Sequence, residues 1–367
     1  MNRELYDKYR VTIDDQFKKD FLEACVSVYG EEYRDRFSKT LETIQIHTLI
    51  SFKYIQERIR NQESKKSQNE LLDAFESLFG ETISDDEKAT EVEDVSLEEE
   101  LLNEYNPEEG LSDDELNQKY SSYQIVCEEL EGYEGIEPSE ILKEMRFGGG
   151  FCIPLNKKGD FHQISSHIFM VDRHQDLVVI AHEMLHILET EIVFNEEEKT
   201  YDNPTGFSGK IEGVDTTLLS EHIHTLVLNN RIFPYMKEQG YDLFDNSDYS
   251  LFALPTNVEF FFAFERAILE ARCGDINSLL NVVGRENFVR YAELQSQSNR
   301  RKPSKGESEE ARRLLGAMKE YSREHLGERI GKATLKEQEM VTQKESVSQE
   351  LHELIEDREQ IKEEIDD

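Results

Sequence analysis

The chain of 367 residues has no long apolar run. No stretch approaches the ~18–20 residues that a membrane helix needs, and the densest are Leu177–Ala181 and Phe260–Phe264. The opening MNRELYDKYR carries no apolar segment of the secretory kind, although export by a route without one stays open. Cysteine is scarce: Cys25, Cys127, Cys152 and Cys273 lie far apart, and no CxxC pair occurs. Spacing of that kind excludes a disulfide framework, and the expected setting is soluble, reduced and cytoplasmic. Positive charge is also short, with 42 Lys+Arg against 79 Asp+Glu and a net charge of −37. A surface that negative repels phosphate backbones and anionic lipid, so neither a nucleic-acid nor a membrane partner is expected. Metal cations and basic proteins are not excluded.

What is present divides into four stretches. Residues 1–62 read as a helical N-terminal segment, with Phe17, Phe21, Leu22, Cys25 and Val28 and then Leu41, Ile44, Ile46, Leu49 and Ile50 mostly three or four apart. Residues 63–121 read as an acidic linker. From Glu81 to Tyr120 there are sixteen acidic residues and two basic ones, which suits a solvated tether open to a basic protein partner. Residues 122–295 form the expected core. Ile136–Arg146 reads as a short helix; Phe151–Leu155, Phe161–Ile164 and His167–Val171 read as strands, and Asp176 caps a helix running to about Glu191. Further helices are expected over LLSEHIHTLVLNNRIF and from Pro255-Thr256 onwards. Residues 296–367 read as a helical C-terminal extension whose last apolar positions approach a short heptad seam.

Within the capped helix stands His182-Glu183-Met184-Leu185-His186. A helical pitch of about 3.6 residues per turn puts both imidazoles on one face, where they can reach one metal ion, with Glu183 beside them as a base. With ten His in the chain, chance supplies about 0.04 such HExxH matches, so the setting decides its weight. Apolar Leu177–Ile180 before the motif and Leu185, Ile187 and Leu188 behind it make the helix amphipathic, and the strand HIFMV precedes it.

This strand-then-HExxH arrangement resembles the zincin metallopeptidases over roughly residues 145–275. After His186 the chain reads ILETEIVF without the metzincin continuation, so the resemblance is to the gluzincin layout. It implies an α+β fold with a small mixed sheet, one Zn2+ per chain, a protein or peptide substrate, and a glutamate from a later helix as third ligand. A zinc ion lowers the pKa of its water towards ~7 and polarises the scissile carbonyl, with Glu183 as general base. Glu221, on the helix after the motif, matches the third-ligand position. Glu212 and Glu259 are its rivals, and His222 or His224 could serve instead. His224 shares a face with Glu221 and could donate to the tetrahedral intermediate, as could Tyr201 or Tyr235; His222 is expected to be exposed. His167–Val171 is expected to offer a sheet edge to an extended substrate. His162, His167 and His174 read as ordinary strand-surface residues, and Cys152 as a structural thiol. Two other functions are compatible with the same residues: a metal-binding regulatory protein with a non-catalytic core, and a toxin or defence-type protease with one dedicated target.

Overall fold

The computed structural model describes residues 2–60, 113–134, 150–171, 176–190, 193–195, 200–202, 209–246, 253–298 and 301–325. The expected helix 136–146, most of the acidic stretch, His174 and the tail beyond 325 lie outside the described residues. The fold is α+β and mostly helical around a small sheet. No helix among the described residues is long and apolar enough to cross a membrane. The chain divides into two units, residues 1–203 with 227–246, and residues 204–226 with 247–367.

In the first unit, Asn2 and Asp14 open helices α1 (Arg3–Tyr9) and α2 (Asp15–Tyr29) by accepting from Leu5 N–H at 2.9 Å and Phe17 N–H at 2.7 Å. These bonds satisfy donors that the first helical turn cannot. Phe17, Phe21 and Cys25 then form the buried stripe that their spacing predicts. Helix α3 (Arg34–Thr43) follows, and here the expectation of continuous helix is corrected. The chain turns extended after Thr43, and Gln45–Leu49 is strand β1. Short apolar runs fit either period, and the pairing of β1 with a distant strand settles this one.

Helices α4 (Asp113–Lys119) and α5 (Tyr123–Leu130) lead to strands β2 (Tyr133–Glu134), β3 (Gly150–Lys157) and β4 (Asp160–Val171). Helix α4 lies in the stretch read as linker, yet its Leu116 is 2% exposed and packs in one cluster with Tyr6, Leu49, Ile125 and Phe169. The β3–β4 hairpin turns at Gly159, whose φ of +81° favours a residue without Cβ. Beyond the turn one long strand replaces the two that were expected.

Sheet order is β1-β4-β3-β2. From His167 to Val171, β4 is paired parallel to β1, and from Ser166 to Met170 antiparallel to β3. The expectation that His167–Val171 is an edge is therefore wrong: its backbone groups are used on both flanks. On its other flank β3 pairs with β2 at Asn156 and Lys157.

Helix α6 (Leu177–Glu189) packs on β3, β4 and α3. Asp176 caps it by accepting from Val179 N–H at 2.8 Å. Its far end is tied down twice: Arg36 Nη2 donates to the Leu188 carbonyl at 2.9 Å, and the Tyr29 hydroxyl donates to Glu189. Two short strands, β5 (Val193–Asn195) and β6 (Thr200–Asp202), form a ribbon after it.

In the second unit, the ribbon β7 (Lys210–Ile211) and β8 (Val214–Asp215) precedes α7 (Thr217–Val227). Helices α8 (Asn257–Arg272), α9 (Ile276–Val283) and α10 (Arg285–Gln297) bury an aromatic group in which Phe260 stacks on Tyr291 at 5.2 Å. Ser304 and Glu307 cap the helix at 305–325 reciprocally, so the expected helical extension beyond residue 296 is helix in this part.

Candidate metal centre

Helix α6 carries His182 and His186 one turn apart, and their Nε2 atoms lie 3.1 Å from each other. Two imidazoles bound at about 2.0–2.1 Å to one tetrahedral zinc ion would hold their nitrogens about 3.3–3.4 Å apart, so the observed convergence fits a shared ion. The other nitrogen of His182 has a partner: Nδ1–H donates to Asp245 Oδ2 at 2.7 Å, and both side chains are buried. A carboxylate there leaves the Nε2 lone pair facing His186, which is the arrangement of a metal-ligating histidine.

Asp245 is held by its own backbone. Its N–H donates to Asn229 Oδ1 at 2.9 Å, and Asn229 Nδ2 donates to its carbonyl at 2.7 Å. Asn229 sits in a π-helical turn, Leu228–Ile232, a local insertion often found beside functional sites. Sequence reasoning missed Asp245. It is 63 residues from His182 in a stretch without helical or strand periodicity, and an acidic residue among other acidic residues carries no local signal.

Glu183 is buried at 7% exposure and makes no hydrogen bond or ion pair among the described residues. Its place depends on Gly150. A Cβ at that position would fall 2.9 Å from Glu183 Cγ, 3.0 Å from its Oε1 and 2.9 Å from Val179 Cγ1. The bare glycine at the start of β3 therefore leaves room for the carboxylate.

On α7, His224 is fully buried, and Arg272 Nη2 donates to its Nδ1 at 2.6 Å. Arg272 Nη1 also donates to the Ser220 carbonyl at 2.9 Å. A guanidinium cannot accept, so Nδ1 of His224 bears the lone pair and the proton of the neutral ring sits on Nε2. His222, expected to be exposed, is buried; burial lowers its pKa to about 4 and keeps it neutral. Glu221 is half-buried, and its carbonyl accepts from Thr225 Oγ1 at 3.2 Å.

Among the described residues, His182, His186 and His224 form a group that could hold a metal ion, and Glu221 is not in that group. Both rival glutamates are engaged at the surface: Glu212 pairs with Arg285, and Glu259 accepts from Lys319 at 3.2 Å. Tyr235 is half-buried on the short helix Phe233–Glu238. His167 is not a strand-surface residue; it is fully buried in the sheet. Cys152 is half-buried and forms no disulfide among the described residues. Comparison with protein-family models, with curated proteins and with solved structures finds no match to this chain.

Proposed function

We propose that this chain is a zinc-dependent peptidase with a zincin-type core. The observation that carries the reading is the convergence of the His182 and His186 Nε2 atoms, backed by Asp245 and flanked by Glu183, which has no polar partner among the described residues. Two neutral imidazoles and a carboxylate suit zinc, which when bound supplies Lewis acidity towards water and a peptide carbonyl. Glu183 takes the proton from the attacking water and delivers it to the leaving amine. His224, with its proton on Nε2, donates a hydrogen bond to the oxygen that becomes negative.

Glu221 is the third ligand in this reading, because the Arg272 bond leaves His224 with a donor where a ligand needs a lone pair. Metal analysis and a cleavage screen of cell lysate test the whole. Wild type should hold one zinc per chain, Glu183→Gln should keep it and lose cleavage by at least about a hundredfold, and Glu221→Ala should lose it. His224→Ala should keep zinc and lose cleavage. Zinc lost with His224 and kept without Glu221 would transfer the third position to His224; no zinc in wild type after reconstitution would end the proposal.

A further inference from the structure

The first unit holds a second polar centre, built on β1 and β4. Gly150 and Met170 are register partners, so Met170 points towards α6 and its neighbours His167 and Phe169 point to the opposite face. There His167 stacks on His47 with ring planes 4° apart, and His167 Nδ1 lies 2.8 Å from His47 Nε2. His47 Nδ1 bonds Glu129 Oε2 at 2.6 Å, while Ser165 Oγ bonds His167 Nε2 at 2.8 Å. The second oxygen of Glu129 accepts from Arg3 Nη2 at 2.5 Å. Glu129 and Arg3 are thus committed to each other and to the histidine pair.

A cavity of about 420 Å³ opens on this centre, lined by Arg3, Arg10, Lys18, Gln45, His47 and Glu129 among others. Three cations face one carboxylate there, on a chain whose net charge is −37. With Arg3 spent on Glu129, Arg10 and Lys18 are the surplus. Lys18 makes no side-chain bond among the described residues. Arg10 lies 3.1 Å from the half-exposed Asp7 carboxylate, but its Nε is buried and forms no aligned hydrogen bond. Fully buried Tyr6 fixes both guanidinium groups: Arg3 and Arg10 lie 5.3 and 5.4 Å from its ring centroid, and its hydroxyl accepts from Thr48 N–H at 3.1 Å. Charges held in place in this way give up little entropy on meeting a ligand.

We propose that this cavity is a binding site for a small anion bearing a carboxylate or phosphate group, with Arg10 and Lys18 as its charge partners. Carboxylates and phosphates share the acceptor geometry that a guanidinium and an ammonium recognise, and the two probes separate them. The test is calorimetric titration of the full chain at low ionic strength with inorganic phosphate and, separately, with succinate. Saturable binding of at least one probe is expected, weakened about tenfold or more in Arg10→Gln and in Lys18→Gln, since each removes a charge-assisted contact. Lys302→Gln, outside the cavity, should leave the affinity unchanged. Circular dichroism and thermal melts establish that each variant is folded. The proposal is overturned if neither probe saturates, if both cavity variants bind as wild type does, or if Lys302→Gln weakens binding as much as they do.

Discussion

Replacing Asp245 tests the proposed centre at the point sequence could not reach. In Asp245→Asn an amide oxygen still accepts from His182 Nδ1–H, and the backbone bonds to Asn229 remain. What disappears is the charge on a 2.7 Å contact between two buried groups. Hydrogen bonds to charged groups contribute about 1.5–3 kcal/mol and neutral ones about 0.5–1.5, so the loss is roughly 1–1.5 kcal/mol, or about tenfold in zinc affinity. Asp245→Ala leaves the buried Nδ1–H without its acceptor, and a loss of about a hundredfold is expected. Competition against a chromophoric chelator measures both, with urea melts of the metal-free variants separating lost ligation from lost fold. If Asp245→Asn binds zinc within about twofold of wild type, Asp245 does not orient a metal ligand and the reasoning fails.

Three other outcomes follow from buried groups. Burial first, and the neighbouring His47 second, lower the His167 pKa to about 3 against 6.5 for an ordinary imidazole. As pH falls the unfolded chain takes this proton first, so the stability present above pH 6.5 is lost below it, at up to about 1.4 kcal/mol per pH unit. Urea midpoints at about pH 7.5 and about pH 5 should show the drop, and His167→Gln should flatten it. Gly150→Ala forces its new methyl against Glu183 and Val179; cleavage should fall about a hundredfold while zinc content is kept, read by turnover and elemental analysis. Tyr29→Phe removes the hydroxyl that bonds buried Glu189, and urea melts should show a loss of about 1–3 kcal/mol.

Much of α6 is legible in sequence because its determinants are local. Asp176 supplies the cap, the apolar residues recur at helical spacing, and His182 and His186 lie one turn apart whatever the rest of the chain does. The parts that escape depend on residues far away in the chain. Strand β1 follows apolar positions that also suit a helix, and only its register with His167–Val171 makes it a strand. Helix α4 hides in an acidic run, where Leu116 is its buried anchor. Asp245 and Asn229 form a pair that no periodicity announces, and Arg3, Arg10 and Lys18 join one cavity only because α1 and α2 fold beside β1.

The double pairing of β4 bears on how a bound ion would leave. From His167 to Met170 the strand is paired on both sides and its side chains are fully buried, so these amides exchange with solvent only through the largest opening events of the unit. Helix α6 rests on that strand and on β3, with its ends tied to Asp176, Tyr29 and Arg36, and shares this slow clock. Asp245 lies outside the sheet, tied to Asn229 through its backbone and to His182 through its side chain. If the proposed centre holds zinc, an Asn229 substitution, which loosens the backbone of Asp245 and not the sheet, would speed release of the ion while leaving the denaturation midpoint of the sheet nearly where it was.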